Sequence, residues 1–156
     1  MSETLSKRFE AANGATIFYE GRELHRSLVL PVSRGDSLDL RFVRSTERPV
    51  QGFGIKCERC QVKVADTLAT NVALWRDTAP SEITINVAKA KPGARILIRN
   101  YWRDEKYGTT MYYLNNAAIE IVYRADGVIV LHCSDGWLGP DFEDLVAEIR
   151  VRSATL

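Results

Sequence analysis

Apolar residues recur at every second position over short spans along the whole chain. Leu38, Leu40 and Phe42; Val62 and Val64; Ile83, Ile85 and Val87; Ile96 and Ile98; Ile119, Ile121 and Tyr123; Ile129, Leu131 and Cys133; and Leu145, Ala147 and Ile149 alternate with polar or smaller residues. Side chains point to opposite faces of a strand in turn, so each run predicts a strand with one buried face. Turn formers separate the runs at Asn13-Gly14, Arg34-Gly35-Asp36, Pro49, Ala79-Pro80, Lys91-Pro92-Gly93, Tyr107-Gly108, Asn115-Asn116, Ala125-Asp126-Gly127 and residues 134–140. Roughly nine to eleven short strands, with no helix-length period, predict an all-β fold: an antiparallel β-sandwich of the jelly-roll or lectin-like sort, with little helix.

Asp126-Gly127 supplies positive φ between residues 118–123 and 128–133, which predicts a hairpin. Lys91-Pro92-Gly93 separates residues 82–87 from 95–100 and reads as another hairpin turn. A short helix over residues 2–12 would stop at Asn13-Gly14. No repeat, linker or composition shift divides the chain, so residues 1–156 read as a single β-sandwich domain.

Composition narrows the class. A hydrophobic fraction of 46%, a charged fraction of 26%, five prolines and ten glycines describe a soluble globular chain and exclude wholesale disorder, collagen and coiled coil. Twenty-one basic residues against twenty acidic ones leave a net charge of +1, so no global field directs the protein to nucleic acid or an anionic membrane. No stretch approaches the roughly 18 apolar residues of a membrane helix. The first residues, with Glu3, Lys7, Arg8 and Glu10, lack a signal-peptide pattern. The expected location is the cytoplasm, or outside the cell by release without a classical signal peptide.

Three cysteines include one C-x-x-C, Cys57 and Cys60, with no second ligand pair of zinc-site spacing. That motif reads as a hairpin turn with two reduced or loosely paired thiols. His25 and His132 are the only histidines, and G-x-S-x-G, G-x-G-x-x-G and P-loop motifs are absent. A glycosidase dyad of Asp141 and Glu143 is the remaining route to a small hydrolase, which is disfavoured. Arg34-Gly35-Asp36 reads as a turn, and Trp75-Arg76-Asp77 as edge packing with a solvated ion pair.

The segment Ser134-Asp135-Gly136-Trp137-Leu138-Gly139-Pro140-Asp141-Phe142-Glu143-Asp144 gathers four carboxylates ahead of the last apolar run. Crowded carboxylates repel and raise one another's pKa unless a cation offsets them, and calcium takes loop carboxylates and carbonyls as ligands. Asp135-Gly136 followed by Asp141-Phe142-Glu143-Asp144-Leu145-Val146 resembles the calcium loop and closing strand of the small bacterial β-sandwich lectins that bind sugars through calcium. The resemblance implies calcium held by Asp135, Asp141 and Asp144, with Glu143 standing where the family has Asn, and sugar hydroxyls completing the coordination. On the residues alone, the same segment also reads as a turn at Asp135-Gly136 capped by Asp141, with Glu143 and Asp144 in solvent.

The loop around Asn100-Tyr101-Trp102-Arg103-Asp104-Glu105-Lys106-Tyr107-Gly108 mixes aromatic and charged residues, as carbohydrate and protein contact surfaces do. Trp102, Arg103, Asp104 and Tyr107, with Trp137, are its candidate ligand contacts; alternatively Trp102 closes the core and Arg103 pairs with Asp104. These readings converge on a non-catalytic, carbohydrate-binding, lectin-like module with calcium in the 134–144 loop. The alternative is a protein-interaction or assembly domain without metal, and a homo-oligomer is compatible with either.

Overall fold

The computed structural model describes residues 4–14, 16–136 and 139–154. Among these, one helix, α1 (Leu5–Ala11), precedes twelve strands: β1 (Ile17–Tyr19), β2 (Arg22–Leu24), β3 (Leu28–Pro31), β4 (Ser37–Ser45), β5 (Gln51–Val64), β6 (Thr67–Ala69), β7 (Asn71–Trp75), β8 (Glu82–Arg103), β9 (Thr110–Met111), β10 (Ala118–Tyr123), β11 (Ile129–Ser134) and β12 (Leu145–Arg152). The expected all-β antiparallel fold is what the chain adopts. Ten strands join one sheet in the order β10-β11-β12-β4-β8-β5-β6, with β3 and β9 also paired to β8 and β7 to β5. Inward side chains from the whole ladder, including Leu40, Phe53, Ile85, Ile98, Leu131 and Ile149, meet in one hydrophobic cluster.

The Asp126-Gly127 hairpin forms as expected: Gly127 has φ +85°, and β10 pairs with β11 from Tyr123↔Ile129 to Ala118↔Ser134. The Lys91-Pro92-Gly93 hairpin does not. Residues 82–103 run on as one strand, because both halves pair with the long β5. Lys91 to Ala94 lie opposite Arg59 alone, between the pairs Cys60↔Ala90 and Glu58↔Arg95, which makes the segment a bulge. Gly93 at φ +83° and Arg59 at φ +61° take up the irregularity, and Arg59 Nε donates to the Pro92 carbonyl at 2.7 Å. Parity switches in both strands, in β5 at this bulge and in β8 at a second irregularity, where Ala88 is skipped between the pairs Gln61↔Lys89 and Val62↔Val87. Ile83, Ile85 and Val87 face inward before it and Ala94, Ile96 and Ile98 after it, while β5 changes from Phe53 and Ile55 to Cys60 and Val62. One face of each strand therefore stays in the core across the bend.

The C-x-x-C expectation is corrected with it: Cys57 and Cys60 flank the bulge inside β5 rather than a hairpin turn. Both thiols are free, and burial with the neighbouring Cys60 pushes Cys57 up to about 12, which leaves it an unreactive thiol at neutral pH.

The helix is shorter than residues 2–12. Thr4 caps it through its hydroxyl, which accepts from Lys7 N at 3.3 Å, and Asn13 and Gly14 end it at φ +54° and +78°. Leu5 and Phe9, one turn apart, bury against Ile17, Leu24, Ala118 and Phe142, a satellite core under the β1–β2 hairpin. That packing, more than helix propensity, holds so short a helix. Arg34-Gly35-Asp36 is a turn with Gly35 at φ +90°, and Asp36 is buried, accepting from Ser33 N and Ala154 N. Among the described residues, no helix is long and apolar enough to cross a membrane.

Candidate functional site

The acidic loop leaves β11 at Ser134 and re-enters the sheet at β12. Three buried polar side chains clamp its first residues. Asn100 Nδ2 donates to the Ser134 carbonyl at 3.0 Å, Gln51 Nε2 donates to Asp135 Oδ2 at 2.7 Å, and Ser134 Oγ accepts from Asp141 N at 3.1 Å. Asp135 N in turn donates to Asp144 Oδ2 at 3.0 Å. Gly136 is required by packing: a Cβ there would stand 2.4 Å from Trp102 Cζ2. Trp102 is 4% exposed, so its indole closes the floor of the loop and presents no open ring to a sugar.

The four acids of the motif separate. Asp135 and Asp144 are buried together, and burial, reinforced by the charges of Asp135 and Asp141, pushes the Asp144 carboxyl up to about 7. Asp141 caps its own turn by accepting from Glu143 N at 3.0 Å. Glu143 leans outward to Arg44 at 2.7 Å and His132 Nδ1 at 3.4 Å. Among the described residues, no three His, Cys, Asp or Glu side chains converge as a metal site. The expectation that Asp144 faces solvent is also corrected: it sits in the clamp.

The second predicted set disperses as well. Arg103 points away from Trp102, over the Trp75 ring at 4.5 Å, and pairs with Asp77 at 3.1 Å rather than with Asp104. Asp104 caps a local turn through Tyr107 N at 2.9 Å. Tyr107 is 74% exposed, with Lys106 Nζ 5.1 Å from its ring centroid. Trp137 lies outside the described residues.

What the topology assembles instead is an aromatic face across β7, β5 and β8. Register places Trp75, Gly52 and Tyr101 in one cross-strand row, and Ala73, Gly54 and Arg99 in the next. The glycines leave room for the rings: a Cβ on Gly54 would lie 2.0 Å from Tyr101 Cζ, and one on Gly52 2.8 Å from Trp75 Cε3. Centroids run Trp75 to Tyr101 at 6.0 Å, Tyr101 to Tyr112 at 5.4 Å, and Tyr112 to Tyr113 at 5.3 Å. Arg99 stands 5.2 Å from the Tyr112 centroid and 5.0 Å from that of Tyr113, within cation–π range. Burial raises the Tyr101 phenol against the lowering effect of Arg99, so the ring stays neutral.

Sequence reasoning missed this face. Its signals are present: Arg99, Tyr101 and Arg103 alternate with inward Ile98, Asn100 and Trp102, and Gly52 and Gly54 recur at period two inside a strand. No protein-family model, no curated protein and no solved structure matches the chain.

Proposed function

We propose that the protein is a non-catalytic binding module for carbohydrate, whose contact surface is the face bearing Trp75, Tyr101, Tyr112 and Tyr113. The observation that carries this reading is the unbroken row of rings, 5.3 to 6.0 Å from one centroid to the next, with Trp75 and Tyr101 seated on the glycines of β5. Aromatic rings pack against the C–H faces of a sugar while their polar tips and neighbouring guanidiniums meet its hydroxyls. Trp75 and Tyr101 are fixed on sheet strands and Tyr113 is tied by hydrogen bonds to Ser27 and Ser6, so the row is already ordered, which lowers the entropic cost of binding.

The calcium of the lectin resemblance enters this reading only at Asp135 and Asp144, the two acids the loop brings together. Titration of oligosaccharides against intrinsic tryptophan fluorescence, with calcium and again with chelator, tests both parts. Saturable quenching that Tyr112→Ala weakens about tenfold supports the platform; no response to any glycan overturns it. Loss of binding in chelator supports calcium, and equal binding removes it.

A second reading, an assembly domain, is favoured by β10. This strand ends the sheet order, and beyond the bridge that His25 makes to Ile119 it has Val122 40% and Tyr123 71% exposed, a short edge suited to a strand from a second copy. A concentration-dependent dimer in light scattering, abolished by Tyr123→Lys, would favour that reading.

A further inference from the structure

We propose that the ligand of the aromatic face is an anionic carbohydrate, a carboxylated or sulfated glycan, with Arg99 and Arg26 as its anion-binding pair. The inference rests on reading that face as a carbohydrate platform and goes beyond it by assigning the charge of the ligand.

The Nε–H groups of Arg99 and Arg26 are both buried and both lack a hydrogen-bond acceptor. A buried N–H on a charged group with nothing to receive it is costly; both residues are otherwise partly exposed, so an oxyanion meeting the guanidiniums from solvent offsets their charge without reaching the covered Nε. Neighbouring cations are already satisfied: Arg103 pairs with Asp77, and Arg95 with Glu58. Among the described residues, neither Arg99 nor Arg26 forms a salt bridge: Arg99 feels Glu58 only at a distance, and Arg26 donates to the Ser6 carbonyl at 3.4 Å and lies over the Phe9 ring.

The two guanidiniums also share one ring. Each lies 5.0 Å from the Tyr113 centroid, so they stand about 10 Å apart at most, and like charges so placed repel. Tyr113 itself holds φ +59°, a conformation unfavourable for a bulky side chain and characteristic of sites where geometry serves a ligand. Its hydroxyl is tied to Ser27 Oγ and its carbonyl accepts from Ser6 Oγ at 3.2 Å, which fixes the ring between the arginines. Beside it opens a depression of about 420 Å³ lined by His25, Arg26, Ser27, Val29, Leu97 and Tyr113. The ring row thus ends at a concave seat to which Arg26 contributes a cation, with Arg99 against the same Tyr113 ring.

Charge pattern separates this ligand from a nucleic acid. Tracking a phosphate backbone takes a run of cations along the path. Here two unpaired arginines sit at one end of a ring row, on a protein of net charge +1.

The test is equilibrium binding of four probes to the intact protein: oligogalacturonate, its fully methyl-esterified neutral counterpart, a heparin-derived oligosaccharide, and a single-stranded oligodeoxynucleotide. The expected result is that an acidic glycan binds roughly tenfold to a hundredfold more tightly than the neutral one, with affinity falling as salt rises. The uronate and heparin arms decide between carboxylate and sulfate. Arg99→Gln should erase the acidic preference, bringing free and esterified uronate to equal affinity; should that variant fail to fold by near-ultraviolet circular dichroism, Arg26→Gln and the wild-type salt dependence carry the same test. Equal binding of esterified and free uronate, without salt dependence, overturns the inference while the platform stands. Tighter binding of the oligonucleotide overturns it too, and silence from every glycan overturns the platform and the inference together.

Discussion

The 134–144 loop and the outer face of β5, β7 and β8 both concentrate chemically capable side chains, yet they differ in what they leave for a ligand. In the loop, Asp135 accepts from Gln51, Asp144 from the Asp135 amide, and Glu143 is paired with Arg44, so the acids are engaged and only the Gln51 Oε1 beneath them lacks a partner among the described residues. On the face, the rings are tilted or edge-on to one another, Tyr112 is 41% exposed, and two arginine Nε–H groups have no acceptor. Density of acids in a short segment therefore says less about binding than whether their hydrogen-bonding capacity is already used within the fold.

Breaking the loop should cost stability, and breaking the face should cost binding. The largest effect is expected from Trp102→Ala, which empties the floor beneath Gly136 and should destabilise by about 3–5 kcal/mol in urea unfolding. Gln51→Ala comes next. It takes the Gln51 donor from the buried Asp135 carboxylate, at about 1–3 kcal/mol by the same measurement. Tyr112→Ala on the face should change unfolding by less than about 1 kcal/mol while weakening glycan binding about tenfold. A large stability loss at Tyr112 with unchanged binding would erase the contrast.

Asp144→Asn sharpens the comparison through pH. The folded carboxyl titrates at about 7, above the roughly 3.9 of an unfolded chain. Between those values the folded protein holds a proton that the unfolded chain has released, so stability falls as pH rises through this window. Asparagine removes that slope and keeps an acceptor for the Asp135 amide. The variant should gain a few degrees of Tm relative to wild type from pH 4 to pH 8. A parallel pair of curves would show that Asp144 is charged throughout.

Much of the fold was legible because it follows from local rules. Period-two alternation marked the strands, Asp126-Gly127 marked its hairpin, and Asn13-Gly14 marked the helix end. Lys91-Pro92-Gly93 misled because the same residues serve a turn or a bulge, and the choice was made at a distance by β5, whose Arg59 bulges in step. The candidate site was legible in its parts and not in its assembly. Asp141 as a cap was readable from the sequence, but the burial of Asp144 depends on Gln51, Asn100 and Trp102 arriving from other strands. Trp75 and Tyr101 become neighbours because β5 pairs with both β7 and β8 and offers glycine where the rings lie, and Tyr112 and Tyr113 join them from the segment that follows β9, itself paired to β8.

The most direct test of the central claim is backbone amide chemical-shift mapping with oligogalacturonate added to the intact protein. The account predicts perturbations that cluster at Trp75, Arg99, Tyr101, Tyr112 and Tyr113 and spare Asp141 and Glu143. Perturbations confined to residues 134–144, with the aromatic face unmoved, would contradict it.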